Sequence, residues 1–419
     1  MNYENTLEFA RQMDGRDLLK EFRNEFCFPL DAQGKPVRYF AGNSLGLQPK
    51  RAQEYVVQEL ADWARLGVEG HFHAKNPWLP YHETVTEGLA RIVGAQPIEV
   101  VAMNSLTVNL HLMMVSFYQP TRERYKILIE AGAFPSDQYA VASQVRFHGF
   151  DPKDAIVELK PRPGESALRT EDIVARIQAE KTSLALVLLG GVNYLTGQAF
   201  EIAEITKAAH QVGAMAGFDL AHGAGNLLLK LHDWKVDFAV WCSYKYLNSG
   251  PGAIAGCFVH ERHARADLPR FAGWWGHDKK TRFLMGPDFQ AIPGAEGWQL
   301  SNPPIFQLAA LRASLELFDR ATMPELKKKS ELLTGYLEFL LKQIPAVSII
   351  TSAFAGQRGC QLSFKWRDDA KGLIRDLTKQ GIVCDFREPD VIRAAPVPLY
   401  TSFEDVHALG EGLMRYAGA

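Results

Sequence analysis

The sequence predicts an α/β protein, in which a doubly wound, mostly parallel sheet is followed by a smaller C-terminal α+β domain. From about residue 53, short apolar runs alternate with amphipathic helical windows, the pattern of parallel strands joined by crossover helices. After the break Asn302-Pro303-Pro304 the pattern changes to two long helical windows and then to short strands. A chain of 419 residues, 47% of them hydrophobic, is long enough to form both units.

Each element has its own signal in the sequence. A short apolar run between polar or turn residues is typical of a buried strand, and apolar residues three or four positions apart are typical of a helix. Strands are predicted at 99–102, 126–130, 155–159, 184–189, 214–219, 237–241 and 254–259. Helices are predicted at 108–117, 171–181, 202–211, 306–318 and 323–343, and Ser402 with Asp405 forms a capping-box pattern before one more helix.

The change in pattern also divides the chain into domains. We expect residues 51–304 to form a large domain that carries the ligand site, and residues 305–419 to form the small C-terminal domain. Residues 1–50 precede the first βα repeat and are expected to pack with the small domain.

Composition argues against several classes of function. The 46 Lys and Arg residues nearly balance the 48 Asp and Glu residues, so no field of one sign attracts nucleic acid or anionic lipid, and a small-molecule partner is expected. The five cysteines are odd in number and widely spaced, which favours a reducing cytoplasm. We see no export signal and no apolar run long enough for a bilayer. No metal site is expected, because His71, His73 and His82 lack a suitably spaced carboxylate or cysteine.

Two segments with binding chemistry follow the first two predicted strands, at the strand ends where an open parallel sheet binds its ligands. Asn104-Ser105-Leu106-Thr107 precedes a helix, whose free amides and Thr107 hydroxyl would bind a phosphate. The alternative is that Asn104 or Ser105 simply caps this helix. Phe134, after the second strand, would lie against a planar ring, although a phenylalanine at a strand end is more often part of the core.

Two further residues complete a recognisable set. Asp219 ends the fifth predicted strand, where it would hold a protonated pyridine nitrogen or, alternatively, cap the next turn. Lys245 follows the sixth strand between two tyrosines, and a lysine in such a place can lose its proton and form a Schiff base with an aldehyde. Phosphate site, stacking ring, pyridinium partner and Schiff-base lysine are the parts that pyridoxal phosphate requires. The sequence therefore predicts a pyridoxal-phosphate enzyme with its cofactor on Lys245.

Eight segments spread over nearly the whole chain carry a family resemblance. They are YFAGNSLGLQP (39–49), NSLTVNLHL (104–112), EAGAFPSDQYA (130–140), YLTGQ (194–198), GFDLAHGAGN (217–226), HDWKVDFAVWCSYKYLNSGPG (232–252), SNPPI (301–305) and VIRAAPVPLY (391–400). Together and in this order they resemble the kynureninase family, fold-type-I enzymes of the aspartate aminotransferase superfamily. The resemblance implies hydrolysis of L-kynurenine and/or 3-hydroxy-L-kynurenine to anthranilate or 3-hydroxyanthranilate plus L-alanine, in tryptophan degradation or NAD biosynthesis.

The resemblance also implies roles for individual residues. Catalysis is implied for Lys245, Tyr244 and Asp219. Cofactor contacts are implied for Leu106, Thr107, Phe134, Asp137, Asp219, His222, Tyr244, Lys245, Trp274 and Asn302. Substrate contacts are implied for His71, Ser301, Asn302 and Arg393, whose guanidinium suits a carboxylate. In this family the positions of Trp274 and Asn302 reach the site from the partner subunit, so the resemblance implies a homodimer with shared active sites.

The implied reaction assigns proton transfers to two residues. Lys245 would remove the substrate's α proton while Asp219 holds the pyridinium, and Tyr244 would deliver a proton to the β carbon. The pairing of His71 with Asn302 resembles members that prefer 3-hydroxykynurenine. Gly190 departs from the pattern, because many relatives carry a hydroxyl residue there, near the cofactor.

Two alternatives remain open from the sequence. A cysteine desulfurase or an aminotransferase would share the fold and cofactor, although none of the five cysteines lies in an obvious glycine- or serine-rich loop, as a desulfurase would need. A nucleotide-dependent dehydrogenase or a binding module would use a Rossmann-like sheet, but Gly250, Gly252 and Gly256 are spaced one residue too far apart for the dinucleotide motif.

Overall fold

The computed structural model describes residues 2–418, and its long strands form two sheets. The larger sheet contains β1 (Val100–Ala102), β2 (Lys126–Glu130), β3 (Ile156–Leu159), β4 (Leu184–Gly190), β5 (Met215–Asp219), β6 (Phe238–Cys242) and β7 (Ala255–Val259). The smaller sheet contains β8 (Val347–Ile349), β9 (Leu362–Trp366), β10 (Asp385–Arg387) and β11 (Val391–Ala394). Two-residue strands pair Phe26–Cys27 with Gln48–Pro49, and Arg38–Tyr39 with Ile382–Val383.

The order of the large sheet is β1-β7-β6-β5-β4-β2-β3. All neighbours from β6 to β3 are parallel, whereas β7 runs antiparallel to both β6 and β1. Every residue of β4, β6 and β7 is buried, as expected for strands that helices cover on both faces. The predicted doubly wound, mostly parallel sheet is confirmed. The small sheet is antiparallel, in the order β8-β9-β11-β10.

The helices cover both sheets. Within residues 2–418 they are α1 (Leu7–Arg16), α2 (Lys50–Leu66), α3 (Gly70–His73), α4 (Thr86–Val93), α5 (Leu106–Phe117), α6 (Pro135–Phe147), α7 (Pro152–Ala155), α8 (Thr170–Glu180), α9 (Ile202–Gln211), α10 (Ile305–Ala321), α11 (Met323–Leu341), α12 (Ala370–Lys379) and α13 (Phe403–Gly418). Successive residues of a central strand belong to different hydrophobic cores, so Leu186 and Leu188 pack on one face of the sheet and Val187 on the other. None of the helices in the described part of the chain combines the length and apolarity needed to cross a membrane.

The predicted strands all exist, with bounds that differ by at most one residue. Glu99 was expected to start the first strand, but it ends a short turn of 3-10 helix, where its carboxylate accepts a hydrogen bond from the Gln96 amide at 2.8 Å. Ala155 belongs to the end of α7 rather than to β3. The helix predicted at 306–318 continues to Ala321, because the first residue that leaves helical geometry is Thr322, with a φ of 60°.

The N-terminal segment and the small sheet share one hydrophobic core. Ala10 and Met13 of α1, together with Phe40, pack among side chains of α11, α13 and the small sheet. The carboxylate of Asp14 accepts hydrogen bonds from two amides at the start of α13, at 2.7 and 3.0 Å. The capping box is confirmed, since the Asp405 amide donates to Ser402 Oγ at 3.0 Å and the Ser402 amide to the Asp405 carboxylate at 3.1 Å.

Candidate active site

A pocket lies at the carboxyl ends of β2, β4, β5 and β6, where an open parallel sheet binds its ligands. It is lined by Leu106, Thr107, Glu130, Phe134, Ser136, Asp137, Gly190, Val192, Tyr194, Asp219, Ala221, His222, Tyr244 and Lys245. Eight of these residues were singled out from the sequence as contacts of one cofactor, although they come from four segments that lie far apart in the chain. The fold therefore brings together a site that was predicted in pieces.

Lys245 lies in the connection between β6 and β7. The connection reverses direction through Asn248, Gly250 and Gly252, which have φ values of 50°, 93° and 67°. Lys245, just before this reversal, lines the pocket, and its Nζ lies 3.2 Å from His222 Nε2. The Nζ atom is also 5.8 Å from the centroid of the Phe134 ring. The amine thus sits between an imidazole and an aromatic ring that are both available to a ligand.

Three carboxyl groups share this pocket, and burial raises the pKa of each. The pKa of Asp137 lies well above its usual value, because burial and the neighbouring charge of Asp219 both disfavour ionisation. The pKa of Asp219 is also raised by burial, although the amide of Ala221, 2.7 Å from its Oδ1, favours the charged form. Burial likewise raises the pKa of Glu130. A ligand that brings positive charge, such as a pyridinium, therefore fits the residues present.

Two buried polar atoms in the pocket have no partner among the described residues. They are His222 Nδ1 and Asp137 Oδ1. Burial and the nearby charge of Lys245 hold the pKa of His222 well below its usual value, so its imidazole is neutral. Since buried polar atoms are nearly always paired in native proteins, both atoms are open to hydrogen bonds from a polar cofactor.

The start of α5 lies beside the pocket, at the place where the sequence analysis expects a phosphate site. Ser105 occupies the N-cap position, but its side chain makes no capping hydrogen bond. Asn104 has a φ of 48°. Its side-chain Nδ2 donates to Asn109 Oδ1 at 3.0 Å, so this side chain does not cap the helix. The alternative in which one of these side chains caps α5 is therefore wrong. The first amides of α5 and the Thr107 hydroxyl are left available beside the pocket.

The second alternative, in which Asp219 caps a turn, describes one of the contacts of this residue correctly. Its Oδ1 accepts the hydrogen bond from the Ala221 amide, and the chain turns there. The carboxyl group nevertheless lines the pocket, so the turn positions it rather than removing it from the site.

Arg393 lies on β11 of the small sheet and is only 1% exposed. Its Nε and Nη2 contact the two carboxylate oxygens of Asp385, at 3.0 and 2.8 Å. Its Nη1 donates to the carbonyl oxygen of Tyr194 at 2.7 Å, and Tyr194 lines the pocket. Asp385 thus occupies one side of the guanidinium, and the Nη1–Nη2 end retains N–H groups for a second carboxylate.

The remaining predicted site residues lie outside the pocket of this single chain. His71 Nδ1 is 2.9 Å from the carbonyl oxygen of Val68. Trp274 is 41% exposed and lines a separate surface cavity. Ser301 and Asn302 line a third cavity, which also contains residues that immediately precede α5.

Six residues at or beside the site have no role assigned from the sequence. They are Asp385, beside Arg393, and the pocket residues Glu130, Ser136, Val192, Tyr194 and Ala221. Glu130 had a usable signal, because it is a carboxylate at the carboxyl end of a buried strand. Tyr194 and Asp385 had no comparable signal in the sequence, because each contributes through contacts with residues from other elements. Gly190 also lines the pocket, and a Cβ at this position would lie 3.0 Å from Glu130 Oε1.

The fold and this pocket define a pyridoxal-phosphate enzyme of fold type I. Among solved structures, a cystine C-S lyase C-DES in complex with cysteine persulfide has a TM-score of 0.76 at 19% identity, over 90% of this chain and 97% of that one. The cysteine desulfurase CsdA from Escherichia coli has a TM-score of 0.77 at 17% identity, over 95% and 98%. At this level of identity the similarity shows the fold alone.

Sequence similarity identifies the family. A model described as the kynureninase C-terminal domain matches residues 326–413. A protein named kynureninase from Myxococcus xanthus is 65% identical over 418 residues, which is 99% of this chain and 98% of that protein. Another, from Koribacter versatilis, is 59% identical over 97% of this chain and 96% of that protein. The chain belongs to the kynureninase family.

Proposed function

We propose that this protein hydrolyses L-kynurenine and/or 3-hydroxy-L-kynurenine, releasing anthranilate or 3-hydroxyanthranilate together with L-alanine. One observation carries the proposal: in a chain of the kynureninase family, a single pocket brings Lys245 together with Asp219, His222 and Phe134. No cysteine among the described residues lines that pocket, which argues against the desulfurase alternative.

The pocket residues divide the task of holding pyridoxal phosphate. Lys245 would supply the amine that binds its aldehyde, and Asp219 would hold the pyridine nitrogen. Phe134 would lie against the ring, and the amides of α5 with the Thr107 hydroxyl would bind the phosphate. Asp137, His222, Tyr244 and Leu106 are proposed as further contacts. When bound, the cofactor supplies an electron-poor ring that stabilises negative charge on the carbon beside the substrate's amino group.

Proton transfers fall to Lys245 and Tyr244. With cofactor and substrate bound, the Lys245 amine would take the α proton, and the neutral imidazole of His222 lies 3.2 Å from this amine. Burial raises the pKa of Tyr244, so its phenol stays protonated at neutral pH and can donate to the β carbon.

Arg393 binds the substrate's α-carboxylate in this proposal. The Asp385 carboxylate fixes one side of its guanidinium, and Nη1 donates to the carbonyl oxygen of Tyr194, whose residue lines the pocket. Because the carboxylate and the amino group belong to the same substrate carbon, a fixed Arg393 orients that carbon relative to Lys245.

We also propose that the protein is a homodimer whose partner completes each site. The segment around Trp274 exposes several large apolar side chains, including Phe283, Leu284 and Met285. Exposed apolar patches of this kind mark protein interfaces. In the dimer, Trp274 and Asn302 would approach the partner's pocket, and His71 and Ser301 would line the substrate side.

Three broader features are proposed with this function. The five free cysteines suit the reducing cytoplasm. The reaction would serve tryptophan catabolism or NAD biosynthesis. The chain would divide into an N-terminal segment (1–50), a cofactor-binding domain (51–304) and a small domain (305–419), and the core shared by α1, α11 and α13 supports the first and last of these units packing together.

Replacement of Lys245 tests the proposed function directly. The K245A variant should lose turnover of kynurenine and, at the same time, the absorbance band of the lysine-bound cofactor, because the same amine serves both. The control is K207A, which removes an exposed lysine of α9 and should leave both unchanged. An active K245A variant with a normal spectrum would contradict the assignment.

A further inference from the structure

Glu130 lines the Lys245 pocket, yet the proposed reaction gives it no task. Its side chain is at the end of β2, and the residue is only 5% exposed. Its Oε2 accepts a hydrogen bond from Asn193 Nδ2 at 2.7 Å, and its Oε1 accepts one from the Gly190 amide at 3.3 Å. A buried carboxylate that accepts from two N–H donors fixes the position of both.

Asn193 connects this carboxylate to the loop formed by residues 193–198. Its Oδ1 accepts hydrogen bonds from the amides of Leu195 and Thr196, at 3.0 and 2.8 Å. Its own amide donates to the carbonyl oxygen of Gln198 at 2.8 Å. The orientation of the Asn193 side chain therefore determines the shape of the loop, and Glu130 holds that side chain from the large sheet.

The same loop contacts both the cofactor side and the small domain. The ring of Tyr194 packs edge-on against Phe134, with 5.3 Å between the centroids. The carbonyl oxygen of Tyr194 accepts from Arg393 Nη1 at 2.7 Å and from Gln361 Nε2 at 3.2 Å. The carbonyl oxygen of Thr196 accepts from the Thr351 hydroxyl. Residues 193–198 thus link the ring-stacking residue to the arginine of β11.

We propose that Glu130 is a positioning residue that, through Asn193, fixes the loop at 193–198 and so sets the distance between Arg393 and the cofactor-binding lysine. The Gly190 amide supports the arrangement from the other side of the carboxylate. The claim that Glu130 orders the loop rests on the hydrogen bonds described above. The expected effect on substrate binding rests on the proposed function of Arg393.

The variants E130Q and N193A test this inference. In E130Q the amide oxygen can accept from one of the two donors, but the new NH2 group then faces the other N–H. We expect the amides of Leu195 and Thr196 to exchange with deuterium about tenfold faster in both variants. With kynurenine as substrate, KM should rise on the order of tenfold, because this is the usual effect of losing one hydrogen bond to a charged group. The kcat should change by less than about threefold.

Two further measurements separate positioning from general damage. The absorbance band of the lysine-bound cofactor should persist in both variants. The double variant should be no worse than N193A alone, because both substitutions break the same link. E158Q, an exposed glutamate on neighbouring β3, is the matched control and should leave exchange, KM and spectrum unchanged.

Several outcomes would overturn the proposal. They are unchanged exchange of residues 194–198 in E130Q and N193A, additive effects in the double variant, or a fall in kcat with constant KM. If the wild-type protein failed to cleave kynurenine, the proposed function would fall, and the exchange experiment would still decide whether Glu130 orders the loop.

Discussion

Burial sets the charge state of single residues in the pocket, and it acts in opposite directions on two neighbours of Lys245. It raises the pKa of the Tyr244 phenol and lowers the pKa of the His222 imidazole. At neutral pH the site therefore offers a protonated phenol as a proton donor and a neutral imidazole as a hydrogen-bond partner of the amine. Both states follow from the removal of water by the surrounding fold.

Replacement of Tyr244 by phenylalanine tests the proton-donor role. We expect kcat for Y244F to fall by about a hundredfold or more, the usual contribution of a general acid, while the cofactor band remains. Because burial raises the pKa of Tyr244, its ionisation should not cause the alkaline limb of the wild-type pH profile, and the limb should appear at the same pH in Y244F. Y139F, at an exposed tyrosine of α6, is the control. Unchanged kcat in Y244F would remove this residue from catalysis.

The sequence reveals the residues whose role follows from their position at a strand end. Lys245, Asp219 and Phe134 each follow an apolar run, and a ligand site at that edge explains them without knowledge of the pairing. The bond between Glu130 and Asn193 joins residues 63 positions apart, and no local pattern in either segment requires it. Contacts of this kind become visible only when the strands have been placed side by side.

Individual elements could be predicted better than their arrangement. Apolar runs located the seven strands of the large sheet to within one residue, because strands that are covered on both faces are mostly apolar. The strand order could not be read in the same way. β1 pairs with β7, and Ala102 lies opposite Gly256. No pattern in the sequence between these two strands indicates that they pair or that β7 is antiparallel.

The start of α13 provides a prediction about one element. Replacing Ser402 by alanine removes the hydroxyl that accepts from the Asp405 amide, and we expect the free energy of unfolding of the small domain to fall by about 1 kcal/mol. Urea unfolding followed by circular dichroism measures this change. S166A, at an exposed serine before α8, is the matched control and should have no effect. Equal stability of S402A and the wild type would show that the Asp14 contacts alone suffice to cap α13.

The molecule as a whole is expected to function only as a pair. A preparation of K245A mixed and refolded with W274A should regain activity, because one site in each mixed dimer then receives both the intact lysine and the intact tryptophan. Each variant refolded alone is the control and should remain at its own low activity. Mixed dimers that form, as shown by a tag on one subunit, but stay inactive would contradict a shared site.

The packing of α1 on α13 has a consequence for biosynthesis. Helix α1 is synthesised before the large sheet, yet it finds its permanent neighbour only when α13 has been made. Throughout elongation the apolar side of α1 lacks that cover, while the seven-stranded sheet can already fold. A nascent chain arrested before α13 should therefore be cleaved by protease within α1 and resist cleavage within the large sheet.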